Sequence, residues 1–163
     1  MREIALTSDN NAILDTAIVA VGKSASNNRS DQILIRRFVT IVSEHRAPWL
    51  HSRVSRTLGQ IAAVQALPDE AFSQLNAIAT EPNNAIQGKH ALSSLIEIGA
   101  TSTLPMVSLD ILTNAFETDS NRYVRVAIIK ALANNATQFP RAVELIRSAT
   151  NIDQRSRGRA ERH

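Results

Sequence analysis

The stretches VSRTLGQIA (54–62), GKHALSSLI (88–96) and VRVAIIKAL (124–132) decide the fold of this chain. Each carries apolar or small residues at steps i, i+4, i+7 and i+8, and these steps fall on one face of an α-helix. The three stretches begin 34 and then 36 residues apart. Self-similarity at an interval of roughly 20–50 residues is typical of stacked repeats. The sequence therefore predicts an array of helices that share an apolar seam.

Composition fits one domain with a core of small aliphatic side chains. The chain has 163 residues, of which 44% are hydrophobic and only 4% aromatic, and it contains no cysteine. The absence of cysteine excludes disulfides and thiol chemistry, and it fits a reducing, cytoplasmic location. The start shows no signal-peptide pattern, and no apolar run approaches the ~20 residues that a membrane span needs. We therefore expect a cytoplasmic protein without a membrane segment.

The net charge of +3 is concentrated at one end of the chain. Residues 154–163 hold four arginines and one glutamate, whereas residues 1–153 hold 14 Lys/Arg and 14 Asp/Glu. We expect residues 1–152 to form the helical domain and residues 153–163 to be a disordered Arg-rich tail. That tail could bind nucleic acid or an acidic protein surface by charge, or it could be a solubilising end or a cloning remnant.

Eight helices follow from the 3.6-residue period and its punctuation. The prolines at 48, 68, 105 and 140 all fall at predicted helix starts, where a missing N–H costs little. Gly22 is expected to end the first helix and Gly99 to cap the fifth at its C-terminus. Caps are expected at Ser30 or Asp31 and at Ser102 or Thr103. The predicted helices cover about 11–21, 31–45, 48–66, 68–80, 85–99, 103–118, 121–134 and 140–150.

The seventh predicted helix, NRYVRVAIIKAL (121–132), resembles the second helix of a HEAT repeat. In the fifth helix Gly88 and Lys89 take the Val-Arg places of that pattern, and in the third Ser55 takes the Arg place. The interval is a little short for HEAT repeats of about 40 residues and close to that of tetratricopeptide repeats, whose motif is not present. The matching residues are Val124, Arg125, Ala127, Ala131 and Leu132.

The resemblance to HEAT-like and armadillo-like repeats covers roughly residues 31–150. It implies an all-α fold, a right-handed α-solenoid of about eight antiparallel helices with no sheet. The second, fourth, sixth and eighth helices would be A helices, and the third, fifth and seventh would be B helices. The first helix is then a leftover B helix and the eighth a leftover A helix. Either these two are caps, or the chain is a piece of a longer array.

The resemblance also implies a concave face of B helices that binds a partner. The alternative is that these side chains form a solvated face with local ion pairs, since surface charge usually does. Trp49 could instead plug a helix junction, and Tyr123 could pack on the loop of the next repeat. The candidate partner-binding residues on this face are Trp49, Arg53, Arg56, Lys89, His90, Arg122, Tyr123, Arg125 and Lys130.

We expect a non-enzymatic scaffold that binds a protein partner, conceivably through an acidic segment. A nucleic-acid-binding solenoid that uses the Arg/Lys stripe and tail is the first alternative. An enzyme is the second, since HEAT-like families include DNA-alkylation repair glycosylases and phycobilin lyase-like proteins, but their active-site residues find no match here. No His-Glu-x-x-His and no phosphate-cradling loop is present, so no catalytic residue, cofactor or metal is predicted. The histidines at 45, 51, 90 and 163 are expected to be satisfied or solvent-facing, and the partner's identity and the oligomeric state stay open.

Overall fold

The computed structural model describes residues 7–24, 32–44 and 46–148. These ranges are helical and contain no β-strand. None of their helices is long and apolar enough to cross a membrane. The helices are α1 (Asn11–Ser24), α2 (Gln32–Ser43), α3 (Pro48–Ala62), α4 (Asp69–Thr80), α5 (Ala85–Gly99), α6 (Met106–Thr118) and α7 (Arg122–Asn134), followed by a helical segment at 140–148 that we label α8.

The helix ends differ from the prediction at a few places. Helix α1 continues through the buried Gly22 to Ser24, and α3 ends at Ala62 instead of near residue 66. Pro105 occupies the N-cap of α6, so the predicted cap at 102 or 103 is wrong. The fixed φ of proline and its missing N–H suit this position, as they do at the N-cap of α4. The predicted cap at 30 or 31, His45 and the tail at 153–163 lie outside the described residues.

Helix contacts divide the described helices into two rows. Helices α1, α3, α5 and α7 pack in series, and we call them the B row. Helices α2, α4 and α6 also pack in series, and we call them the A row. Across the rows, α2 packs on α3, α4 on α5 and α6 on α7. Each helix therefore buries its apolar face between its row neighbours and a helix of the other row.

Both rows repeat at one interval. Helices α3, α5 and α7 begin at residues 48, 85 and 122, and α2, α4 and α6 begin at 32, 69 and 106, so both series advance by 37 residues. Burial follows the same interval at the centre of the helices, where several sets of residues 37 apart are all fully inaccessible to solvent. The fully buried sets are Val54, Ala91 and Ile128, then Leu58, Leu95 and Leu132, and in the A row Phe38, Leu75 and Leu112.

This interval corrects the 34- and 36-residue spacings read from the sequence. The sequence pattern aligned Gly88 and Val124 with Val54, whereas Ala91 and Ile128 lie 37 and 74 residues after it. The alignment was therefore displaced by three residues in α5 and by four in α7. One helical turn is 3.6 residues, so a displacement of three or four residues leaves the apolar positions on nearly the same helix face. The apolar pattern therefore looks almost the same with and without the displacement. Leu92 is accordingly only partly buried.

Neighbouring helices of the B row run in the same direction. His51 stacks on His90, Ser55 contacts Ser94 one turn later, and the residue numbers rise together along α3 and α5. Between α5 and α7, the C-terminal Gly99 of one helix receives a hydrogen bond from Asn135 just beyond the other. The N-termini of these helices therefore lie at the same end of the row.

Gly99 serves close packing, and the predicted left-handed C-cap is wrong. It is the last residue of α5, and no glycine among the described residues has a positive φ. A Cβ on Gly99 would lie 2.6 Å from Cδ1 of Leu104 and 3.0 Å from Cβ of Ala131. A Cβ on Gly59 would lie 2.9 Å from the carbonyl oxygen of Glu97. Both glycines allow α5 to approach its neighbours in the B row more closely than any larger residue would.

Candidate functional site

The candidate partner-binding residues lie on the B row, and most face solvent. Trp49 is 49% exposed and Tyr123 is 85% exposed. Arg53, His90 and Arg125 are half-buried. The remaining candidates, which are exposed, are Arg56, Lys89, Arg122 and Lys130.

Three exposed apolar side chains occupy one position of the B helices. Trp49, Ile86 and Tyr123 are each the second residue of a helix, 37 residues apart, and Ile86 is 67% exposed. Because these helices are parallel neighbours, the three side chains form a row along one edge of the face, which we call the apolar ridge. Sequence reasoning missed Ile86, although a 37-residue interval counted from Trp49 points to it.

Charge is divided between the two rows. Helices α3, α5 and α7 contain six lysines and arginines and one acidic residue, Glu97. Helices α4 and α6 contain four acidic residues and no lysine or arginine. The acidic residues of the A row are Asp69, Glu70, Asp110 and Glu117. Helices α3, α5 and α7 of the B row therefore present a positive surface, whereas α4 and α6 of the A row present a negative one and α2 carries two arginines.

Several cations are already engaged within the molecule. Arg53 binds Asp15 of α1 at 2.9 Å, and the guanidinium of Arg125 lies 4.5 Å from the centre of the Phe116 ring. In the A row, Arg36 pairs with Glu70 at 2.7 Å. No ion pair within the described residues neutralises the four exposed cations of α3, α5 and α7, which we call the basic set: Arg56, Lys89, Arg122 and Lys130.

His51 and His90 form a buried stack in the seam between α3 and α5. Their ring centroids are 3.9 Å apart and their planes differ by 7°. His51 is 2% exposed, and its Nδ1 has no hydrogen-bond partner among the described residues. Burial lowers the pKa of both imidazoles, and the proximity of His90 lowers the pKa of His51 further. Both imidazoles are therefore mostly neutral at pH 7. The prediction that His51 is satisfied or solvent-facing is wrong for its Nδ1, which is buried and has no hydrogen-bond partner among the described residues.

The described residues offer little for catalysis or metal binding. No group of three or more His, Asp or Glu side chains within 7–24, 32–44 and 46–148 is placed to hold a metal ion. An open groove of about 380 Å³ lies between α4 and α6 in the A row. Its only ionisable lining group is the Asp110 carboxylate, which has no acid–base partner there. The other lining residues are Asn76, Ala77, Thr80, Val107, Ile111 and Asn114.

Comparison with known proteins assigns no family. No protein-family model, curated protein or solved structure matches this chain. The two faces of the molecule, one positive with an apolar ridge and one negative with an open groove, are the features from which a function is inferred.

Proposed function

We propose that this chain is a small, right-handed HEAT-like α-solenoid that serves as a non-enzymatic scaffold, binding an acidic segment of a partner protein along the B row. The A and B helices of each pair would run antiparallel, with α1 and α8 as half-repeats at the ends. Support comes from the packing of each helix on its row neighbours, as in solenoids. The 37-residue interval also lies nearer to the length of a HEAT repeat than the 34 residues of the sequence pattern.

The division of charge is the observation that carries this proposal. In a row of exposed cations without intramolecular partners, the energetic cost is the mutual repulsion of the charges. A bound anionic segment would reduce that repulsion. Arg56 and Arg122 offer planar forks that match carboxylates in two-point contacts. Large exposed apolar side chains beside those cations are typical of interface centres, where aromatic anchors contribute most of the binding energy.

Nucleic acid is the second candidate, since Trp49 and Tyr123 could stack on bases while the cations contact phosphates. Ile86 lies between the two aromatic residues and has no π-face to stack. An aliphatic side chain at the centre of the ridge favours apolar side chains of a peptide over bases.

The test measures binding by fluorescence anisotropy. The probes are a labelled pool of random 16-residue peptides that are half Asp/Glu, a 16-nucleotide single-stranded RNA and a 16-base-pair DNA duplex. The B-face variant combines Arg56→Gln, Lys89→Gln and Lys130→Gln. The matched control removes the same charge from helices outside the B row, with Arg36→Gln in α2 and Arg141→Gln and Arg147→Gln in α8.

We expect the peptide pool to bind the unmodified chain and to bind the B-face variant at least tenfold more weakly, with the control near the unmodified chain. Equal losses in both variants would mean that net charge alone attracts the peptides, and the proposal would fail. Tighter binding of RNA or DNA, with a salt dependence that steepens with the number of phosphate contacts, would establish the nucleic-acid candidate instead.

A further inference from the structure

The apolar ridge has a defined spacing. Trp49, Ile86 and Tyr123 occupy the same position of three parallel helices that pack side by side. Packed helices have axes about 8–10 Å apart. Consecutive ridge side chains are therefore expected to lie roughly 9 Å apart, along a line that crosses the helix axes.

Regular peptide conformations differ in how well they meet that spacing. A polyproline-II segment has three residues per turn and a rise of 3.1 Å, so side chains on one edge recur at about 9.3 Å. A β-strand places same-face side chains every 6.6–6.8 Å. An α-helix places same-face side chains about one turn, or 5.4 Å, apart. Every second side chain of such a helical peptide would therefore lie between two ridge residues and contact neither. Of these conformations, only polyproline II places one apolar peptide side chain opposite each ridge residue, with no apolar side chain of that edge left without a ridge partner.

The basic set lies beside the ridge, mainly on its C-terminal side along the helices. Lys89 follows Ile86 by one helical turn, and Lys130 follows Tyr123 by two turns. Only Arg122 of the basic set precedes a ridge residue, at the very start of α7. A segment lying on the ridge would therefore have cations along one edge, where one of the two intervening residues of each three-residue turn projects.

We propose that the ridge and the basic set bind an extended, polyproline-II-like acidic segment with an apolar side chain at every third residue, one each on Trp49, Ile86 and Tyr123. Acidic residues at the intervening positions face the cations. This proposal rests on the proposed scaffold function and specifies the chemistry of its partner. It is carried by the equivalent positions of the three ridge residues on neighbouring parallel helices and by charge complementarity.

The test uses synthetic 13-residue acidic peptides of identical composition. One has leucine at positions 4, 7 and 10, a second at 4, 6 and 8, and a third at 3, 7 and 11. Trp49 is the only tryptophan of the chain, so its emission reports occupancy of the ridge directly. We expect the first peptide to bind at least tenfold more tightly than the other two and to shift the Trp49 emission to the blue.

A pair of variants separates the ridge from general exposed apolar surface. Ile86→Ser should weaken the first peptide about tenfold, whereas Met106→Ser, at a comparably exposed site of the A row, should leave it unchanged. Both sites are exposed, so circular dichroism melts should show folded variants. Equal affinity for the three peptides, or preference for another spacing, overturns this proposal but leaves the scaffold intact if the B-face variant still loses binding. If no acidic peptide binds, both proposals fall.

Discussion

The seam between α3 and α5 and the seam between α5 and α7 are built differently. The first is closed by the stack of His51 on His90 and by the hydroxyls of Ser55 and Ser94, 2.9 Å apart. The second is closed by one buried amide, that of Asn135, which is fully inaccessible to solvent. Its oxygen accepts from the N–H of Leu104 at 2.8 Å, and its other partners are Gly99, Ser102, Ala131 and Gln138.

The comparison shows that neighbouring helices of the B row are held together by chemically different contacts in the two seams. Asn135 lies 37 residues after Ile98 and 74 after Ile61, so a hydrogen-bonded amide stands where the earlier B helices carry a buried isoleucine. Every polar atom of that amide has a partner, so its burial costs little. The histidine seam is different, because its stability depends on the charge state of the rings.

Helix α5 belongs to both seams, so breaking its core should have the largest effect. Leu95 is fully buried, and Leu95→Asp places a carboxylate there without a counter-charge. We expect a loss of about 5 kcal/mol or more, which is comparable with the whole stability of a domain. Urea unfolding followed by circular dichroism measures it. Leu92→Asp, at the partly buried site that the 34-residue spacing favoured, should cost clearly less, and the reverse order would refute the 37-residue register.

Removal of the buried amide should break the α5–α7 seam alone. Asn135→Ala leaves the Leu104 N–H and the Gly99 carbonyl without this partner, and we expect about 2–4 kcal/mol of lost stability. Asn134→Ala is the control, because its exposed amide also donates to the Gly99 carbonyl and should contribute less than about 1 kcal/mol. Similar losses in the two variants, measured by urea unfolding, would show that the network does not close the seam.

We expect the free energy of unfolding to fall at low pH, because His51 and His90 in the α3–α5 seam bind protons. Of the three predicted effects on stability, this one should be the smallest. The pKa of each imidazole is lower in the folded state than the ordinary value of 6.5, so the unfolded chain binds more protons. Stability is then fully present above pH 6.5 and falls as the pH drops below it. Glu44 and the Arg46 backbone act against the lowering of the His51 pKa, and the Arg46 side chain acts with it.

The measurement compares urea midpoints at pH 7.5 and 5.0. His90→Phe keeps a ring in the stack but cannot bind a proton, so its midpoint should change less over this range than that of the unmodified chain. The pKa of Glu44 is lowered from 4.5, because the opposing effect of burial is outweighed by hydrogen bonds from Arg46 and Arg37, and this contribution is common to both chains. An unchanged pH dependence in His90→Phe would show that the stack does not link stability to protonation.

Much of the architecture could be predicted from the sequence, but its register could not. Proline positions and apolar faces predicted the order of the helices from Asn11 onward within the described residues. The three- and four-residue displacements in α5 and α7 escaped notice because a helix returns to the same face after one turn. The stack of His51 on His90 and the contact of Gly99 with Ala131 join residues about 30–40 positions apart, on neighbouring helices. Ile86 was overlooked because its exposure has meaning only beside Trp49 and Tyr123.

The equal 37-residue interval makes the length of this molecule an adjustable quantity. A genetic duplication that joins residue 84 back to residue 48 would insert another copy of α3 and α4 between the first copy and α5, with every helix still beside a neighbour of the same kind. The cut need not fall in a loop, since any two points 37 residues apart are equivalent in the helix pattern. Each inserted unit would therefore add one residue to the ridge, and the proposed peptide-binding surface would lengthen by one position.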